Sequence, residues 1–101
     1  MTHKTIGLEA IVVQAEGQLV SDMDGDKVMM SIRSGKYYNL GPVGGRIWEL
    51  IASPTPVTRL VESLLAEYDI EQSVCEAEVL SFLQLLANEQ LIEMESQLNS
   101  V

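Results

Sequence analysis

Apolar positions along this chain change their period near residue 41: before it, short β-branched runs alternate with turn residues, and after it apolar residues recur every three or four positions. The segments AIVVQ and QLVSD, between Ala10 and Asp22 and split by the Glu16-Gly17 turn signal, predict two short strands or one bent strand. Asp22-Met23-Asp24-Gly25-Asp26 supplies Asp-Gly turn chemistry, and Lys27 to Arg33 (KVMMSIR) then alternates with Val28, Met30 and Ile32 on one face. A turn at Ser34-Gly35 leads into Lys36 to Leu40 (KYYNL), with Tyr38 and Leu40 on one side and Tyr37 and Asn39 on the other. Together these segments predict a three-stranded antiparallel meander.

Three helices follow. Gly41-Pro42 opens the first, with Pro42 at a position where its missing N–H costs nothing, and Val43, Ile47 and Leu50 or Ile51 recur at helical spacing. Gly44 and Gly45 are poor helix formers, so their place in the first turn predicts close approach to another element. Trp48 reads as a core anchor. Ser53-Pro54-Thr55-Pro56 ends this helix and caps the next, which runs from Val57 to Tyr68 with an apolar stripe of Leu60, Val61, Leu64, Leu65 and Tyr68. Ser73-Val74-Cys75-Glu76 has the form of a capping box opening the third helix, whose core stripe is Val79, Phe82, Leu83 and Leu86. Leu80, Leu85 and Ala87 widen that apolar surface, and Leu91, Ile92 and Met94 suit a final extended segment. The order of elements predicts an α+β, winged-helix-like domain over residues 10–94, a three-stranded antiparallel sheet followed by three helices, with flexible termini at 1–9 and 95–101.

Composition narrows the chemistry. With 101 residues, 47% of them hydrophobic, the chain suffices for one core and is too short for two domains. A single cysteine, Cys75, rules out an internal disulfide, and a single histidine, His3, leaves neither a zinc spacing nor a histidine-based catalytic pair. The Asp-rich turn fails the EF-hand pattern, because position 31 is Ser where a bidentate Glu is required. No catalytic residue, metal or cofactor is expected. The net charge of -9 is lopsided: residues 60 to 101 hold nine acids and no Lys or Arg. Such a surface repels phosphate backbones, and residues 73 to 90 lack the bases a recognition helix would carry, which disfavours the alternative of a winged-helix transcriptional regulator. No apolar run reaches the ~18 residues of a membrane span and the start lacks a signal-peptide core, so a cytoplasmic address without membrane contact is expected.

A meander has a free edge, and KYYNL at that edge could add an extended peptide by main-chain hydrogen bonds. The segments KVMMSIRSGKYYNLGPVGGRIWELI, VTRLVESLLAEYDI and EVLSFLQLLANEQLI resemble the PqqD family over about residues 10 to 94. The resemblance implies a recognition element that captures the leader of a ribosomally made precursor peptide as a strand added against the third strand, beside the third helix. Small free-standing members of this kind serve lasso-peptide pathways, delivering the precursor to a cysteine-protease-like leader peptidase with a cyclase acting afterwards. Gly41 stands where many relatives carry Asn as the helix cap, for which Gly is also acceptable, and Leu85 stands where relatives often have a polar residue.

Mapped by position, the resemblance assigns backbone pairing to Lys36, Tyr37, Tyr38, Asn39 and Leu40, with Arg33 at the end of the partner strand. Cys75, Glu78, Val79, Phe82 and Leu83 are expected to line or border the groove. The apolar members of this set fit a core equally well by periodicity, and Cys75 reads as a small buried hydrophobe. Tyr37 and Asn39, on the face opposite Tyr38 and Leu40, are the better contact residues. Glu71, Glu76 and Glu78 could steer a basic leader residue or simply favour the helix dipole. An unpaired edge also permits a homodimer.

Overall fold

The structure, a computed structural model, describes residues 6–24 and 26–95. In chain order its elements are β1 (Ile11–Gln14), β2 (Gln18–Met23), β3 (Asp26–Ser31), β4 (Tyr37–Asn39), α1 (Gly41–Leu50), β5 (Thr55–Pro56), α2 (Val57–Glu67), α3 (Gln72–Asn88) and β6 (Ile92–Glu95). The expected meander forms as an antiparallel sheet ordered β2-β3-β4. Its register places Leu19 opposite Met30 and Met30 opposite Tyr37.

A second antiparallel sheet, ordered β5-β1-β6, goes beyond the single sheet the sequence predicts. The Ala10 to Asp22 segment is therefore two strands, and they belong to different sheets. β1 pairs through Val12 with Thr55 on one side and Met94 on the other. The final apolar segment is extended, as expected, and its partner lies at the opposite end of the chain. Packing also begins before residue 10, because Ile6 is buried and its N–H donates to Gln84 Oε1 at 3.2 Å. The remainder of the predicted flexible termini, residues 1–5 and 96–101, lies outside the described residues.

One core joins the two sheets to the three helices. Val12, Met29, Ile51, Leu60 and Leu83 are all fully buried, and Trp48 anchors α1 in the same cluster. The two α1 glycines act as their position implied. A Cβ on Gly44 would lie 3.0 Å from the Phe82 ring, and one on Gly45 would lie 3.1 Å from the Lys27 Cβ. α1 can thus sit tight against both α3 and β3.

Three local expectations are corrected. α3 begins at Gln72 with Glu71 in the extended cap conformation, and Cys75 N–H already donates to Glu71 O at 2.9 Å. Ser73 is therefore inside the helix and forms no capping box. Likewise no side chain among the described residues caps α2, and the Thr55 hydroxyl instead lies 3.0 Å from Leu50 O and 2.8 Å from Ser53 O, at the end of α1. Gly41 does not serve as the cap of α1, which is Leu40; its φ of 74° is a left-handed conformation that glycine adopts without cost.

β3 also settles which alternating face is inside. Met29 and Ser31 are buried, whereas Val28 and Met30 are half-buried on the other side and Ile32 beyond them is exposed. The more apolar face of this strand is the outer one. Its inner positions are filled by Met29, by the Lys27 stem lying on Gly45, and by Ser31, whose hydroxyl accepts from Ser34 N–H at 3.3 Å in the turn.

Candidate functional site

β4 is an edge strand, and among the described residues no strand pairs with its outer side. Leu40 N–H donates to Lys27 O and Ser31 N–H donates to Lys36 O, both at 2.9 Å. Antiparallel pairing alternates, so the main-chain groups of Lys36, Tyr38 and Leu40 face β3 and those of Tyr37 and Asn39 face away from it. Two donors and two acceptors are left pointing outward from one short edge. Such an edge is a template for another extended chain.

The side chains divide as the alternation requires. Tyr37, 73% exposed, lies on the outer face, while half-buried Tyr38 and buried Leu40 face the helices. Asn39 is exposed, and its Oδ1 accepts from Gly41 N–H at 3.0 Å, which braces the turn into α1. The strand is tied to the end of α3 by Tyr38, whose hydroxyl donates to Glu89 Oε1 at 2.9 Å, and by Lys36, whose Nζ lies 3.5 Å from the same oxygen. Loss of solvent first, and the Glu89 carboxylate second, hold the Tyr38 phenol above its ordinary range. The Tyr38 hydrogen bond first, and the Lys36 charge second, hold the Glu89 carboxyl below its own. The neutral phenol and ionised carboxylate are thus the paired state. Arg33 reaches from the hairpin to Gln90 Oε1, adding a second link at the same end.

Toward the other end of β4 an apolar pocket of about 190 Å³ opens between α1, α2 and α3. Leu40, Val43 and Ile47 form one wall, Cys75, Val79 and Phe82 the other, and Glu78 stands at its lining. Helical spacing puts Val74, Glu78, Phe82, Leu85 and Glu89 on one face of α3. Val74, Glu78 and Leu85 are exposed and Phe82 is half-buried, so this face is not consumed by the core. Glu78 makes no ion pair among the described residues.

The five α3 residues singled out from the sequence do not share one environment. Leu83 is fully buried among core side chains. Cys75 and Val79 are each 1% exposed and line the pocket together with half-buried Phe82, and Glu78 is exposed beside them. Burial first, with Glu78 and Glu76 adding to it, pushes the Cys75 thiol up, which suits an inert lining residue and not a nucleophile. Sequence reasoning did not assign Val43, Gly44, Ile47, Leu64 or Ile70 to a site, yet all five line this pocket. Gly44 carried the only available signal, its implied close contact, and that contact is Phe82.

A larger cleft of about 730 Å³ lies where the two sheets meet, bordered by Glu16, Gln18, Arg33, Glu89 and Glu93. It is open and mainly polar. The smaller apolar pocket, beside an unpaired strand, is the better receptor for an extended peptide with an apolar side chain.

The chain has recognisable relatives. The family described as coenzyme PQQ synthesis protein D (PqqD) matches residues 26–92. A search of curated proteins finds no match. Among solved structures, TbiB1 in complex with the TbiA(beta) leader peptide is similar at 27% identity and a TM-score of 0.74, covering 84% of this chain and 99% of that one. A lasso peptide synthetase B1 complexed with the leader peptide matches at 18% identity and a TM-score of 0.72, over 81% of this chain and 96% of that one. The PqqD truncation of Methylobacterium extorquens PqqCD, a stand-alone RiPP recognition element, matches at 18% identity and a TM-score of 0.69, over 82% and 88%. Its α+β fold is theirs, and with a family match running from β3 to the start of β6 the chain belongs to the PqqD family.

Proposed function

We propose that this protein is a non-catalytic adaptor that binds the leader of a ribosomally synthesised precursor peptide, in a lasso-peptide pathway, as a strand added to β4. The observation that carries this reading is the outward-facing main chain of Tyr37 and Asn39 next to the 190 Å³ apolar pocket. The leader peptides held by TbiB1 and by the lasso synthetase B1 support it.

Main-chain hydrogen bonds to Tyr37 and Asn39 hold the peptide in register, while a side chain directed inward fills the pocket beside Phe82 and Val79. Lys36, Arg33 and Tyr38 fix the edge strand, Leu40 and Cys75 shape the pocket, and Glu78 meets a basic leader residue. The captured leader is then delivered to a leader peptidase, with a cyclase acting later in the same pathway. Both enzymes are proposed partners.

The test is an NMR titration with a panel of lasso-precursor leader peptides, the TbiA(beta) leader among them. A binding leader is expected to slow amide exchange at Tyr37 and Asn39 and to shift the Phe82 ring signals. Saturable binding that leaves both amides as exposed as in the free protein overturns strand addition. Truncating Phe82 to Ala should weaken a bound leader by about 1 to 3 kcal/mol, as for a buried interface anchor.

A further inference from the structure

The outer face of the meander carries an apolar row that the described residues leave partly uncovered. Leu19, Met30 and Tyr37 stand directly opposite one another on three adjacent strands. Leu19 is 56% and Tyr37 73% exposed, and together with Ser21, Val28 and Met30 they surround a shallow hollow of about 210 Å³. The next row along the strands is Ser21, Val28 and Asn39, ending on a polar residue at the β4 edge. An apolar row is normally packed against something, and this one stops at the edge where a fourth strand would lie.

We infer that Tyr37 reads the bound peptide from the outer side: the Leu19–Met30–Tyr37 row selects an apolar or aromatic side chain at the peptide position opposite Tyr37, and the row ending in Asn39 leaves the position opposite it permissive. This rests on the proposed strand addition to β4. The geometry follows from the pairing. Tyr37 and Asn39 offer their main chains to the peptide, so the peptide residues opposite them project to the same outer face. The residue between those two projects inward, toward the pocket lined by Phe82 and Val79. The peptide is thus read on both faces, with an apolar anchor inside and a second apolar residue adjacent to it outside. The outer contact stays partly wet, so it tunes selectivity where the pocket supplies anchoring.

The test uses a displayed library of random 20-residue peptides selected against the wild-type protein, with amide exchange fixing the register of each selected peptide. One selected peptide is then measured with and without a Thr substitution at the position opposite Tyr37, against wild type and Tyr37→Thr. Tyr37 is mostly exposed, so this variant keeps the fold, which its amide spectrum verifies. The expected result is a loss of about two- to fivefold for each single change, and for the double change no more than for one of them. Independent, multiplicative losses, or no loss, overturn the outer reading while leaving strand addition in place. If no selected peptide protects the Tyr37 and Asn39 amides, strand addition itself fails, and the outer reading with it.

Discussion

The Tyr38 hydroxyl donates a 2.9 Å hydrogen bond to Glu89 Oε1, fastening the middle of the edge strand to the residue that ends α3. β4 is three residues long and its two other side chains are exposed, so Tyr38 supplies the inward side-chain contacts of the strand itself, its ring against the core and its hydroxyl on Glu89. Replacing Glu89 with Ala should therefore speed amide exchange at Tyr38 and Leu40 while leaving β2 and the core unchanged. Tyr38→Phe should do the same, and combining the two should add little. The acid dependence has a definite sign. Glu89 is held below its ordinary range in the folded chain, so its contribution is present above the unfolded value and is lost as pH falls through the folded one. Protection of β4 should decline in acid in the wild type, and Glu89→Gln should flatten that decline. Exchange rates at Leu40 that ignore both residues would show that β4 is held by other means.

How far such an edge could be read from the sequence depends on the range of the interactions that make it. KYYNL was legible as a strand because alternation and the Ser34-Gly35 turn are local signals, and the α2 and α3 stripes were legible for the same reason. The second sheet was not. β5 is two residues containing a proline and has no strand signature, while β6 was legible as an extended segment but finds its partner β1 across nearly the whole chain, a pairing that no local signal carries. Alternation on β3 showed a strand and could not show which face was inside. The Lys27 stem on Gly45 and the Ser31 hydroxyl in its turn occupy inner positions that a polarity pattern assigns to solvent. On α3, Cys75, Val79 and Leu83 share one apolar pattern, and only the position of α1 determines that two of them meet a pocket and the third does not.

Gly44 and Phe82 give a substitution whose stability and binding effects should separate. An alanine at Gly44 improves helix propensity by about 0.5 to 1 kcal/mol, while its Cβ, 3.0 Å from the Phe82 ring, must push that ring aside. Phe82 is half-buried at the pocket and has room to yield, so the melting temperature should change little. The displaced ring narrows the pocket, and affinity for a leader peptide should fall severalfold. Calorimetry beside a fluorescence titration distinguishes this from a folding defect. Unchanged affinity in a well-folded Gly44→Ala protein would remove the pocket from the binding site.

At Gly41 the controlling factor is conformation, since a Cβ there would have open space within 4 Å and yet φ is 74°. Forcing a non-glycine residue into that region costs roughly 1 to 2 kcal/mol, with Asn and Asp the best tolerated. Gly41→Ala should lower stability by about 1 kcal/mol, and Gly41→Asn by less. Urea denaturation of the two variants checks the order. Equal losses would mean that the backbone relaxes around either residue.

Acid stability should depend on the ion pairs that join α1 to α2 and to the first hairpin. Arg46 lies 2.8 Å from Glu67 and 3.2 Å from Glu49, and Glu49 is also 3.0 Å from Lys27, which reaches back to Asp22 at 2.9 Å. Hydrogen bonding from Arg46 holds the Glu67 carboxyl below its ordinary value of 4.5, and Glu49 is lowered first by Lys27 and then by Arg46. A depressed carboxylate stabilises the fold above its unfolded value and loses that contribution as pH falls through the folded one. Arg46→Gln should therefore be less stable than wild type at neutral pH, and the gap should close as the solution is acidified below the carboxylate range. Arg46→Lys keeps the charge without the two-pronged contact to Glu67 and should fall between them. These side chains are about a third exposed, so added salt should shrink the neutral gap as well. Urea midpoints measured across that pH range provide the comparison, and a gap that stays constant would show that Arg46 acts through packing of its stem instead of through its charge.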